Sequence, residues 1–213
     1  MKPTIAIFMN PPECSPDCVI GMIQALSLDY RIKIFTKSEC NFITLINVDI
    51  VAFPGGLGDA DSFDDLLKPN KDVIIDYVRN GGRYLGICMG AYWAGRNYFD
   101  ILDGIEAEQY IKRTTADIHR PFGTTARVMW NGKPERMYFY DGTAFIGNPA
   151  KFTTIGTYAN GDIMSLMQDR IGLIGCHPES MEYWYRKPYL RPLWHQGQHH
   201  TLLLEFVDNL MQR

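Results

Sequence analysis

The sequence predicts an α/β fold in which a parallel sheet is flanked by helices and continues into an antiparallel β-rich extension. Three observations carry that prediction. Short apolar strands alternate with segments of helical spacing through about residue 100. Glycines punctuate those segments, in the run Gly81-Gly82 and in the loop Pro54-Gly55-Gly56-Leu57-Gly58. Beyond about Ile101 the segments turn short and β-rich, with Asn131-Gly132 and Asn160-Gly161 as hairpin turn signals. With 213 residues, 46% of them hydrophobic, the chain can bury one sizeable core, and a single domain over residues 1–213 is expected.

Residues 3–9 read as a buried strand, followed by a loop holding Pro11, Pro12 and Pro16. Residues 16–27 place apolar groups at helical spacing, with Ser15 as the expected N-cap. Tyr30 to Phe35 and Asp49 to Phe53 are the next strands. The order strand, helix, strand, with short apolar strands, indicates parallel pairing with helices on both faces. In such sheets ligands bind beyond the carboxyl ends of the strands. The third strand ends in Pro54-Gly55-Gly56-Leu57-Gly58-Asp59, either an ordinary flexible turn or a loop whose unobstructed N–H groups face an anion. Residues 70–80 form an amphipathic helix that Gly81-Gly82 terminates, and Arg83 to Ile87 is a fourth strand that delivers Cys88. After the helix that follows, strands are expected at 124–130, 136–140, 152–158, 162–167 and 170–176, and a last helix at about 200–211.

Composition narrows the function. A formal net charge of -3, with Lys and Arg scattered, argues against a nucleic-acid partner. No apolar stretch approaches the roughly 20 residues that span a bilayer, so no membrane association is expected. The first apolar run is too short for a signal-peptide core, and an intracellular, cytoplasmic location is expected. Five cysteines, Cys14, Cys18, Cys40, Cys88 and Cys176, have no framework spacing and suit a reducing compartment. Cys14 and Cys18 lack a second cysteine pair or a histidine close in sequence, and His195, His199 and His200 lack a suitably spaced carboxylate or cysteine, so no metal and no cofactor is expected.

Two motifs carry chemistry. Gly86-Ile87-Cys88-Met89-Gly90 has the form of a nucleophile elbow, the tight strand-to-helix turn that lifts a reactive side chain above a sheet. Glycines at 86 and 90 are required because side chains there would collide across the turn. A helix start supplies unpaired N–H groups, which favour the anionic, reactive form of a sulfur placed there. The alternative is a buried cysteine in a glycine-rich turn. The second motif, His177-Pro178-Glu179, follows the apolar strand 170–176. Proline keeps the residue before it extended, so His177 and Glu179 project to the same side and the carboxylate can hold one imidazole nitrogen. The other nitrogen is then free to take a proton from a thiol. Alone, the pair reads first as a strand-end histidine beside a solvated glutamate, and the elbow cysteine at another strand end is what favours the catalytic reading.

These motifs in this order, with Pro54-Gly55-Gly56 on an earlier strand end, resemble the class I glutamine amidotransferase superfamily from about Ile50 to Glu179. The run Gly81 to Tyr92 is most similar to the amidotransferase-like N-terminal domain of biotin-protein ligases and its stand-alone relatives. Tyr138 to Phe145 and Ala159-Asn160-Gly161 resemble that family's later segments. The resemblance implies a flavodoxin-like sheet and a Cys-His-Glu triad, with Cys88 as nucleophile, His177 as base and then acid, and Glu179 as its orienter. It implies an oxyanion hole from the N–H groups of Gly56 and Met89, and a substrate pocket that includes Gly55 and Tyr92. Glutamine-using members carry a glutamine where this chain has Tyr92, so the resemblance leaves the choice of substrate open.

Three functions compete. The first is a cysteine-dependent amide or acyl hydrolase, or an amidotransferase-like protein, acting on a small molecule. If ammonia leaves, a separate synthetase or ligase partner must receive it. The second is a non-catalytic ligand-binding or regulatory module. The third is a redox-responsive thiol, with Cys176 as a second sulfur. Tyr183, Trp184 and Tyr185 are candidates for a wall of the site, and Asp59, Asp61 and Ser62 for a helix cap.

Overall fold

The computed structural model describes residues 2–213. Strand β1 (Thr4–Phe8) leads to helix α1 (Pro16–Leu26), β2 (Arg31–Phe35), the short α2 (Phe42–Leu45) and β3 (Ile50–Phe53). Helices α3 (Ala60–Leu66) and α4 (Lys71–Arg79) precede β4 (Arg83–Ile87), which enters the one-turn α5 (Met89–Trp93). The second half runs β5 (Ile105–Gln109), β6 (Thr124–Trp130), β7 (Lys133–Phe139), β8 (Thr143–Gly147), β9 (Thr153–Tyr158), β10 (Ile163–Gln168) and β11 (Ile171–Ile174), and closes with α6 (Gln198–Met211).

The expected parallel sheet and its antiparallel extension are one continuous surface, in the order β2-β1-β3-β4-β11-β10-β9-β6-β7. Pairing is parallel from β2 to β11 and antiparallel from β11 onward. Strands β3 and β11 are buried along their whole length and β4 from Tyr84 onward, as strands covered on both faces must be. On one face α1 and α6 pack through Val19, Met22, Leu26, Leu203, Phe206 and Val207. The other face holds α3, α4 and α5, with Phe63, Ile74, Met89 and Trp93 among Phe8, Phe35 and Phe53.

Local chemistry explains the element ends. Asp59 caps α3 by accepting the Ser62 N–H at 3.0 Å. Gly81, at φ 98°, ends α4 in a Schellman motif: its N–H donates to the Val78 carbonyl and that of Gly82 to the Tyr77 carbonyl. Asn131-Gly132, both at positive φ, joins β6 to β7 in the two-residue turn that matches strand twist. Some details differ from expectation. Ser15 occupies the N-cap of α1, but its side chain makes no capping bond. Strand β7 begins at Lys133 rather than 136, because the tight turn pairs Lys133 with Trp130 at once. Strands β5 and β8 escape the sequence reading. They pair with each other from Ile105↔Gly147 to Gln109↔Thr143, too far apart for a local turn signal.

Candidate active site

The registers Phe53↔Gly86 and Ile87↔Ile174 bring the carboxyl ends of β3, β4 and β11 side by side. From these neighbouring ends emerge the Pro54-Gly55-Gly56 loop, Cys88 and the His177-Pro178-Glu179 turn. The parallel order decides this neighbourhood, since the three motifs are separated by tens of residues in the chain.

Cys88 has φ 51° and ψ −107°, a conformation that non-glycine residues rarely adopt and that costs on the order of 1–3 kcal/mol. The surroundings hold it there. Its N–H donates to the Ile174 carbonyl at 2.8 Å, and its carbonyl accepts from the Thr143 hydroxyl at 3.1 Å. The Gly90 N–H donates to the Pro54 carbonyl at 3.1 Å, while the buried Tyr84 hydroxyl donates to the Gly90 carbonyl at 2.6 Å. Tyr92 donates its hydroxyl to the Gly142 carbonyl at 3.1 Å, which ties the helix after the elbow to the segment before β8. The expected need for glycine is plain at residue 90, where a Cβ would lie 2.0 Å from the Phe53 carbonyl oxygen.

His177 is extended, its N–H bonded to the Tyr138 carbonyl at 2.9 Å. Its Nδ1 lies 2.8 Å from Oε1 of Glu179, and both side chains are buried. Burial alone would depress the imidazole. The neighbouring Cys88 sulfur and Glu179 carboxylate and the contact with Cys18 outweigh it and hold the His177 pKa well above its ordinary value. The Cys88 thiol, 6% exposed, is directed at the Asp141 carbonyl at 3.6 Å. Trp184 and Tyr138 set ring edges against His177, with centroids 5.5 and 6.0 Å away. Tyr183 and Tyr185 turn elsewhere, to Asp17 and Ser180.

The glycine loop is held by the chain that follows β1. Ser15 donates its N–H to the Gly55 carbonyl and Leu57 its N–H to that of Glu13, flanking a Cys14↔Gly56 bridge. Gly55 passes so close to the histidine that a Cβ there would lie 2.6 Å from Cε1 of His177 and 2.9 Å from Sγ of Cys18. Sequence reasoning missed two features of this region. Residues 141–143 wrap the elbow, though β7 and β8 give no sequence sign of their proximity to Cys88. The sulfur that meets His177 is Cys18, 4.0 Å from Nδ1, and not Cys176. Cys176 has no exposed surface, and burial pushes its thiol up to about 12.

The three C-terminal histidines do not converge on a common point. His195 and His200 both direct Nε2 at the Ser180 carbonyl, at 3.1 and 3.0 Å, whereas His199 meets Glu135 at 3.3 Å. Among the described residues the group with metal-ligand spacing is Cys18, His177 and Glu179.

Comparison with known proteins agrees with this architecture. The family described as "Biotin-protein ligase, N terminal" matches residues 13–105. The imidazole glycerol phosphate synthase subunit HisH of Picrophilus torridus is 26% identical over 145 residues, covering 62% of this chain and 73% of that protein. A glutamine amidotransferase from Thermotoga maritima superposes with a TM-score of 0.72 at 11% identity, covering 100% of both chains. PurLQS from Thermotoga maritima gives a TM-score of 0.66 at 13% identity, over 99% of this chain and 100% of that one. No helix among the described residues is long and apolar enough to cross a membrane. The chain therefore has a class I glutamine amidotransferase-like fold related to the N-terminal domain of biotin-protein ligases.

Proposed function

We propose that this chain is a cysteine-dependent amide or acyl hydrolase, or an amidotransferase-like protein, with Cys88 as nucleophile, His177 as base and then acid, and Glu179 as orienter. The observation that carries it is the strained Cys88 backbone at the end of β4, beside a buried His177 whose Nδ1 is already held by Glu179. With Nδ1 committed to the carboxylate, Nε2 is the nitrogen left to exchange a proton. Cys88 turns from the Asp141 carbonyl, gives its proton to Nε2, and its sulfur attacks the substrate carbonyl carbon. The protonated imidazole then protonates the leaving amine, a thioester remains on Cys88, and water releases the acid.

The developing oxyanion needs donors aimed at it. Met89 begins α5, so its N–H has no partner within the helix. The bonds on either side of Gly56 run to residues 13 and 15, on the β1 side, which leaves the Gly56 N–H facing away from them. Both supports favour Gly56 and Met89 as the hole, with Gly55 and Tyr92 as the residues that would contact the substrate. A small amide or acyl compound is the substrate class. HisH is by name a subunit of a synthase, and a separate synthetase or ligase is the matching partner for this chain if ammonia is released.

The near-complete burial of Cys88 favours a second reading, a ligand-binding or regulatory module without turnover. Iodoacetamide alkylation of Cys88, followed against pH in wild type and His177→Ala, decides between them. An assembled pair gives alkylation at neutral pH that falls about tenfold or more in the variant, with the profile displaced to higher pH. Superimposable profiles would remove the catalytic reading and leave the binding module.

A further inference from the structure

The fold gathers donors around Nδ1 of His177 that proton transfer to and from Cys88 does not require. Cys18, in the first turn of α1, places Sγ 4.0 Å from Nδ1, and Oε1 of Glu179 lies 2.8 Å from the same nitrogen. The ligand atoms of these three residues lie within 4.8 Å of one another, and all three side chains are buried. One more atom is unaccounted for: Oε2 of Glu179 is buried and has no hydrogen-bond partner. A buried carboxylate oxygen without a donor is costly, and a cation relieves it.

The donor set is specific in kind. A thiol, an imidazole nitrogen and a carboxylate suit zinc and its borderline-soft relatives, and poorly suit magnesium or calcium, which take oxygen ligands. Tetrahedral zinc at ordinary bond lengths separates sulfur from nitrogen by about 3.5 Å and nitrogen from oxygen by about 3.4 Å. The observed separations of 4.0 and 2.8 Å bracket those values, and shifts of about half an ångström reach them. Three protein ligands leave a fourth position for water, the arrangement of an exchangeable rather than a closed structural site.

We propose that Cys18, His177 and Glu179 form a binding site for a zinc-like divalent cation, which enters in place of the proton shared by His177 and Glu179. The exchange balances: the cation bonds to Sγ, Nδ1 and the carboxylate, Cys18 releases its thiol proton to solvent, and the single proton of the neutral imidazole passes from Nδ1 to Nε2. An Nε2 that carries a proton has no lone pair for the proton of Cys88, so the bound ion silences the nucleophile. That consequence rests on the proposed role of His177 as base; the site itself does not.

Cadmium is the probe, because its bond to a thiolate has its own ultraviolet charge-transfer band. Chelator-treated wild type titrated with cadmium is expected to saturate at one equivalent. The band should persist in Cys88→Ser, disappear in Cys18→Ser and require at least tenfold more cadmium in Glu179→Gln. Zinc should compete for it. X-ray absorption of the zinc-loaded wild type, which needs no variant to fold, should show a single sulfur neighbour with the rest nitrogen or oxygen. No saturable band, a band unchanged in folded Cys18→Ser, or two sulfur neighbours would overturn the site. Zinc should also slow Cys88 alkylation about tenfold or more in wild type and leave it unchanged in Cys18→Ser. If the cadmium band belongs to Cys18 while alkylation ignores the metal, the metal site stands and the assignment of His177 as base fails.

Discussion

At the scale of single residues, the site is a set of groups each held by one specific neighbour. Glu179 faces His177 with one oxygen, and its charge is among the influences that keep the imidazole pKa above the ordinary value despite burial. A histidine whose folded pKa is raised contributes stability that is fully present below its unfolded value of about 6.5 and is lost as pH rises through the folded value. Glu179→Gln removes the carboxylate's share of that contribution. The melting temperatures of wild type and Glu179→Gln are therefore expected to differ most between about pH 5 and 6.5, and to approach one another as pH rises beyond. A gap that widens toward alkaline pH would contradict the assignment. Cys88 and His177 were legible as candidates because their motifs are local: glycines bracket one, and a proline and a glutamate follow the other. Cys18 was not, because its contact spans 159 residues and a lone cysteine in a helix start has no local mark of its partner.

At the scale of elements, the elbow is a junction that two strands and one helix must share. Gly90 lies against the backbone of β3, its N–H bonded to Pro54, and a Cβ there would press on the Phe53 carbonyl at 2.0 Å. Neither side can yield, because β3 is fixed by β1 and β4 on its two flanks. Gly90→Ala is expected to cost about 3 kcal/mol in chemical denaturation and to abolish selective alkylation of Cys88. At Gly161 the obstacle is a φ of 89° with open space around a Cβ, so Gly161→Ala should cost only about 1–2 kcal/mol and leave alkylation intact. Equal losses at the two positions would show that the crossing of β3 and α5 is not the constraint. Most elements were readable because period, caps and turns are written within them, as in α4 with its glycine stop and in the Asn131-Gly132 hairpin. Strands β5 and β8 were not readable. Glu106, Glu108 and Gln109 interrupt the apolar pattern of β5, and its stability comes from a partner some forty residues away.

At the scale of the whole molecule, the long sheet couples its two halves through β11, which pairs with β4 on one side and β10 on the other. The C-terminal histidines brace the turn after Glu179 from outside: His195 and His200 both reach the Ser180 carbonyl. Burial, with His199 and His200 nearby, lowers the His195 pKa to about 3. A histidine depressed in the folded state stays neutral while the unfolded chain takes a proton, so its contribution to stability is present above about pH 6.5 and is lost as pH falls toward 3. Thermal stability should decline across that acid range, and His195→Asn should flatten the decline; an unchanged acid slope in the variant would exclude the effect. The groups facing His195 include Ser180, Trp194, His199 and His200, so the slope belongs to the cluster rather than to one ring. The amino-acid sequence by itself determined the α/β class, the order of most strands and helices, and two local motifs able to do chemistry. Those are consequences of side-chain period and turn chemistry, which act over a few residues. Only the tertiary structure decided that β11 lies beside β4, that residues 141–143 wrap the elbow, and that Cys18 joins His177 and Glu179. Those neighbourhoods depend on which buried strands exclude water together, and that choice is made between segments far apart in the chain.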